Sequence, residues 1–170
     1  KYFEITGDRL FKDIALEMAD WELSIQQKDG SFVGGLLHDG VGKLVFDTGQ
    51  ILFGLLDAFK YSKNKDYLTA AQAAGDWLLQ VQDPDGAWRR FAFNSIPHAY
   101  HARVAWPLAK LYRETGKEEY LLGARRNLDW VLSNQMPNGW FRNCGFSTEN
   151  SKSPYTHTIA YTTRGLLEAG

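Results

Sequence analysis

Apolar residues recur at helical spacing in three stretches of this chain. The first holds Phe11, Ile14, Ala15, Met18, Trp21 and Ile25, the second Tyr67, Ala70, Ala71, Ala74, Trp77, Leu78 and Val81, and the third Tyr120, Ala124, Leu128, Val131 and Leu132. Steps of three and four residues put each set on one face of an α-helix. The positions between them, such as Thr69, Gln72, Asp76 and Gln80, or Arg125, Arg126, Asp129 and Ser133, suit water. Three amphipathic helices are predicted, each with one face on a core.

A second kind of segment is apolar around most of its circumference: Asp47 to Ala58, His98 to Leu111 and Tyr155 to Ala169. Such helices pack on both sides, so they are predicted to form an inner layer behind the amphipathic ones. Their later halves align, with Gly54, Pro107 and Gly165 in register. Short turns are expected at Ser62 to Lys65 and Glu114 to Lys117, and long loops near 28–46, 83–97 and 136–154. Gly116 and Asn64 suit left-handed helix C-caps, and Asp47-Thr48 reads as a helix N-cap pair. Pro107 removes a hydrogen bond inside its helix and predicts a bend there. No strand pattern is seen, so the class is all-α, in a single domain over residues 1–170.

The helices belong to a repeat. Trp21, Trp77 and Trp130 stand 56 and 53 residues apart, and a period of that length marks stacked supersecondary units. Each unit continues into a Gln and then a Gly with an aromatic: Asp20-Trp21, Gln26, Gly30, Phe32; Asp76-Trp77, Gln82, Gly86, Trp88; Asp129-Trp130, Gln135, Gly139, Trp140. In the third copy Gly139 and Trp140 read as adjacent, without the spacer residue of the others.

Gly75, Trp77, Leu78, Leu79, Gln82, Gly86 and Trp88 resemble, in order, the QW motif of the terpenoid cyclase and protein prenyltransferase superfamily. The resemblance implies an α/α toroid of inner and outer helices, in which the Gln ties helix ends together and the Trp packs on its neighbour. The chemistry of that superfamily does not come with it. Asp83-Pro84-Asp85 lacks the clustered carboxylates of the cyclase acid motif, and no Asp stands near Cys144 at the spacing of a prenyltransferase zinc site. The double layer is also similar to the six-hairpin glycosidases, glycan lyases and sugar epimerases. Six hairpins close such a ring, whereas this chain holds about three, so it is expected to be a fragment of a longer protein or to associate, as a homo-oligomer or with the remainder of a parent chain. By the same register Lys1 matches Lys110 and Gly170 matches Tyr112.

Composition narrows the partners. A net charge of -1, from 19 basic and 20 acidic residues, gives no electrostatic reason to expect nucleic acid. No run of about 18 apolar residues exists to span a membrane. The one cysteine, Cys144, gives no disulfide framework, which favours a cytoplasmic location. Cys144 with His157, or His98 with His101, offers too few ligands for a metal, so no metal or cofactor is expected.

Every long loop leads into the start of an inner helix, so one rim of the toroid collects loops and helix N-termini. Asp47 and Gln50, then His98, Tyr100, His101 and Arg103, then Tyr155, His157 and Tyr161 fall there. In the register of Gly54, Pro107 and Gly165, the residues Gln50, Arg103 and Tyr161 are equivalent and are expected at one depth in a shared cavity. A buried guanidinium needs a carboxylate or a ligand, so Arg103 is paired either with an acid such as Asp47 or with substrate. Gln50, His98, Tyr100, His101, Arg103 and Tyr155 are the expected substrate-binding set, and His157, Tyr161 and Asp47 the expected acid–base set. This mixture suits a small-molecule or glycan ligand bearing hydroxyls and a carboxylate, and the expected function is carbohydrate processing or binding, as in a uronate-directed lyase or epimerase. An isoprenoid-binding or cyclase-like toroid and a non-enzymatic interaction module remain as alternatives.

Overall fold

A computed structural model describes residues 2–35, 42–148 and 153–169; Lys1 and Gly170, whose register was read above, lie outside them, as do 36–41 and 149–152 within the long loops. The described residues are helical: α1 (Tyr2–Thr6), α2 (Arg9–Ile25), α3 (Val45–Ser62), α4 (Lys65–Gln80), α5 (Ala102–Thr115), α6 (Glu118–Ser133) and α7 (Thr156–Ala169). Strand pairing among them is limited to the isolated bridges Val33–Lys43 and Gln135–Phe141. The helices alternate between two layers. α3, α5 and α7 form the inner one, with α5 packed on both others, and α2, α4 and α6 lie outside them. This is the arrangement of an α/α toroid fragment.

Inner helices touch closely because their contact positions are small. A β-carbon on Gly49 would stand 2.9 Å from Val104, and one on Gly165 would stand 2.5 Å from the Ala102 carbonyl oxygen. The core between the layers holds Leu52, Leu55, Leu78, Leu108, Leu111, Tyr120 and Trp88, all fully buried. Trp88 is also fixed in orientation, since its indole N–H donates to the Leu78 carbonyl at 2.9 Å. Truncating such a side chain to Ala costs about 3–5 kcal/mol.

Three local expectations need correction. Lys63, not Asn64, takes the left-handed conformation (φ 62°) after α3, while Asn64 N-caps α4 by accepting from the Asp66 amide at 3.0 Å. The short Asn carbonyl is worth more at a free helical amide one residue on. Gly116 does terminate α5 with φ 71°. Asp47-Thr48 is not an N-cap pair: Leu44 holds that position without a side-chain bond, and the Thr48 hydroxyl accepts from the Phe32 amide at 3.1 Å. The third correction concerns the repeat. The amides of Gln27, Asp83 and Met136 each donate to the carbonyl of the residue four positions on, Ser31, Ala87 and Trp140, and Gly30, Gly86 and Gly139 share a positive φ in those turns. Trp140 is thus the spacer, and Phe141 is the counterpart of Phe32 and Trp88.

Helix α5 runs from Ala102 to Thr115 with Pro107 inside it, and is entered through a 3-10 turn over Ala99–His101. The α2 face is uneven: Phe11, Ile14, Met18 and Trp21 are exposed, whereas Tyr67 and Trp77 at the matching positions of α4 are buried.

Candidate functional site

The inner-helix register predicts one layer of equivalent residues, and the structure brings that layer together. Gln50 on α3 accepts the Arg103 Nε–H from α5 at 2.6 Å. The Arg103 guanidinium carbon lies 4.9 Å from the Tyr161 ring centre on α7, 5.6 Å from Phe53 and 5.9 Å from Trp106. Among the described residues no carboxylate reaches ion-pair distance of Arg103, which decides against Asp47 as its partner. Burial pulls the Arg103 pKa down from its usual value, with the nearby charge of Arg164 acting in the same direction and the Tyr161 phenolate in the other. The Gln50 Nε2 atom is buried without a hydrogen-bond partner among the described residues.

A second layer lies one helical turn further along. Phe53, Trp106 and Arg164 are equivalent in the same register, and they meet: Phe53 and Trp106 stand 4.6 Å apart edge to face, and the Arg164 guanidinium lies 5.2 Å from Trp106. Beyond it come Asp57, Lys110 and Glu168, with Lys110 bonded to Asp57 at 3.1 Å and Arg164 3.6 Å from Glu168. Steps of three and four residues therefore draw one stripe down each inner helix. Arg164, Trp106 and Phe53 were not singled out from the sequence, although the alignment of Gln50 with Arg103 and Tyr161 already implied them.

Toward the helix N-termini the rim is aromatic. Phe46 packs 5.3 Å from Tyr100 and 5.5 Å from Tyr161. His157 stands 5.7 Å from Tyr161, 5.6 Å from Tyr155 and 5.5 Å from Phe146, and it is exposed, as is Tyr155. Asp47 sits half-buried in the first turn of α3. Burial raises its pKa, while hydrogen bonds from the Gly35 amide and its own amide oppose the rise. Burial, and then the charge of Asp47, push the Tyr100 phenol well up.

His98 and His101 lie beneath this surface, with fractional exposures of 0% and 1%. The two ring nitrogens of His98 face the carbonyls of Gly145 (2.9 Å) and Phe93 (2.8 Å), so the ring ties the two long loops together. Those carbonyls favour the imidazolium and burial disfavours it more, leaving the pKa lowered. His101 has no hydrogen-bond partner for either nitrogen among the described residues; its ring packs edge-on against Trp88, His98 and Tyr100. Burial holds its pKa well below the ordinary histidine value. Cys144 is buried 3.4 Å from the Thr162 hydroxyl, and no group of three metal-ligating side chains occurs among the described residues.

A further cavity lies away from the rim. It is a groove of about 590 Å³ between α1, α2 and α3, lined by Phe3, Phe11, Leu16, Ile51 and Leu55, with Glu22 and Gln50 at its wall. Burial raises the Glu22 pKa. Only Gln50 is shared between this groove and the Arg103 layer.

No protein-family description matches the sequence, and no curated protein does. One solved structure is similar: a possible member of GH105 family from Salmonella enterica subsp. enterica serovar Paratyphi A. It superposes with a TM-score of 0.70 at 15% identity over 98% of this chain, which spans 51% of that protein. The likeness is one of fold.

Proposed function

We propose that this toroid processes or binds carbohydrate and that its rim takes a sugar carrying a carboxylate, as a uronate does. The observation that carries the reading is the Arg103 guanidinium, which is held by Gln50 through Nε, bordered by the rings of Tyr161, Phe53 and Trp106, and without an acidic partner among the described residues. Its terminal N–H groups can form a two-point contact with a carboxylate, and the half-desolvated setting strengthens it. Arg164 adds a second positive charge beside the same Trp106 ring. The aromatic faces suit the C–H surface of a pyranose. The fold-level likeness to a possible GH105 member fits the similarity to six-hairpin glycosidases read from the sequence.

The chemistry follows from the carboxylate. Drawing electron density onto a neutralised carboxylate makes the neighbouring C5 proton easier to remove, and a base within reach then completes proton abstraction. His157 is exposed beside Tyr161 and serves as base or acid, with the Tyr161 hydroxyl as the other member of the pair. Loss of the C4 oxygen substituent from the resulting carbanion gives a lyase product, and return of a proton to the opposite face gives an epimer. Asp47, half-buried at the start of α3, is the acidic group of the proposed set. His98, His101 and Tyr100 act as support, since all three are buried. Incubation with uronate oligosaccharides in deuterated buffer tests this. Deuterium at C5 or a 4,5-unsaturated end is expected, both lost in Tyr161→Phe and His157→Ala; equal turnover by these variants would contradict it.

A second reading, an isoprenoid-binding toroid, draws on the apolar groove between α1, α2 and α3. Binding of a prenyl alcohol that is lost on Ala19→Trp would favour it.

A further inference from the structure

The two boundaries between successive repeats share three contacts. At the first, Tyr67 donates to Asp20 at 2.5 Å, and Gln26 donates to the Ala70 carbonyl at 2.9 Å. At the second, Tyr120 donates to Asp76 at 2.7 Å, and Gln82 donates to the Gly123 carbonyl at 2.9 Å. Gly30 and Gly86 each press against a carbonyl of the following outer helix: a β-carbon would stand 2.1 Å from the Ala73 oxygen and 2.2 Å from the Arg126 oxygen. Leu79 closes the second boundary over Gly123, where a β-carbon would lie 2.1 Å from its methyl. At both boundaries the receiving helix supplies Tyr, then a small residue three positions on, then a carbonyl three beyond that against which the turn glycine lies.

The third repeat carries the same donor side, and among the described residues no other helix meets it. Asp129 is exposed, and its one ion-pair neighbour among the described residues is Arg125 of its own helix at 3.8 Å. The Gln135 side chain is exposed and among the described residues bonds to the Gly139 carbonyl of its own turn at 3.5 Å. Leu132, the counterpart of Leu79, is 50% exposed. No described atom lies within 4 Å of a β-carbon built on Gly139.

We propose that this face of α6 and the 135–140 turn is a docking surface for an outer-type helix carrying Tyr-x-x-Ala or Tyr-x-x-Gly, the helix of a further hairpin of this repeat. The contact continues an interface already used twice, and that is what specifies its occupant. A second copy of this chain fits poorly. The matching helix it would present is α2, which carries Phe11 where the hydroxyl is needed and Ile14 where the small residue is needed.

The test extends the full chain after residue 170 with a copy of its own residues 113–135, which the inner-helix register brings in phase with α7. The added helix then offers its copies of Tyr120 and Gly123 to Asp129 and Gln135. The added amides are expected to be protected from hydrogen exchange. Asp129→Ala, or Tyr→Phe in the added copy, is expected to lower Tm by about 2–4 °C, and the double variant no further than either alone. Additive losses, or an added segment that exchanges freely, would overturn the proposal. So would an unextended chain that sediments as a dimer dissociated by Asp129→Ala, because a second copy would then cover the face.

Discussion

Arg103 donates its Nε–H to Gln50 Oε1 across 2.6 Å, joining equivalent positions of two neighbouring inner helices. The bond uses the one guanidinium nitrogen that points along the side chain and leaves the terminal pair for a ligand. A neutral amide does this without neutralising the charge.

Replacing Gln50 with Glu should therefore separate stability from binding. The new carboxylate pairs with Arg103 and competes with an anionic ligand. Uronate affinity is expected to fall by about 10–100-fold while the fold is kept or slightly stabilised, because hydrogen bonds to charged groups are worth about 1.5–3 kcal/mol. Calorimetric titration and thermal melting on the same variant check both halves.

The repeat boundaries predict a contrast between two glycines of the same conformation. Gly86 and Gly139 have φ 89° and 83°, so either one replaced by Ala meets the left-handed penalty of about 1–2 kcal/mol. Only at Gly86 does the new β-carbon also strike a carbonyl oxygen, that of Arg126. Gly86→Ala is expected to cost about 1–3 kcal/mol more than Gly139→Ala in urea unfolding. Equal costs would mean that the boundary is not closed as described.

Much of this was legible in the sequence, because a repeat shows each structural position more than once. The period of the Trp residues marked the repeat, the contrast between amphipathic and all-round apolar helices marked the two layers, and the alignment through Gly54, Pro107 and Gly165 placed Gln50, Arg103 and Tyr161 together. The spacer in the third turn was obscured because Trp140 and Phe141 are both aromatic, and only the backbone bond from Met136 to Trp140 distinguishes them. His98 and His101 read as rim residues because helical spacing says nothing of where a helix starts. With α5 beginning at Ala102, the residues before it turn under the loops, and His98 is clamped by two carbonyls that no periodicity records. Arg164 was missed for a different reason: a charged residue near a helix end reads as solvated, and its place beside Trp106 appears only when all three inner helices are compared layer by layer.

Stability should fall as the pH drops through the histidine range. The folded pKa values of His98 and His101 are lowered, so below the unfolded value near 6.5 the unfolded chain binds more protons than the folded one. The contribution is complete above that value and is lost as the pH falls toward the folded values. Tm is expected to decline between pH 7 and 5, and His101→Phe, which keeps the ring contacts with Trp88 and Tyr100, should flatten the decline. An unchanged slope in that variant would assign the effect to other groups.

The central claim, that the Arg103 layer receives a sugar carboxylate, is tested most directly by calorimetric titration. A glucuronate or galacturonate disaccharide is compared with its neutral counterpart on the wild-type chain and on Arg103→Ala, with circular dichroism confirming that the variant is folded. The account predicts that the acidic sugar binds at least about tenfold more tightly to the wild-type chain, and that Arg103→Ala removes this preference while leaving the neutral sugar little changed. Equal affinity for the two sugars, or a preference for the acid that survives in Arg103→Ala, would contradict it.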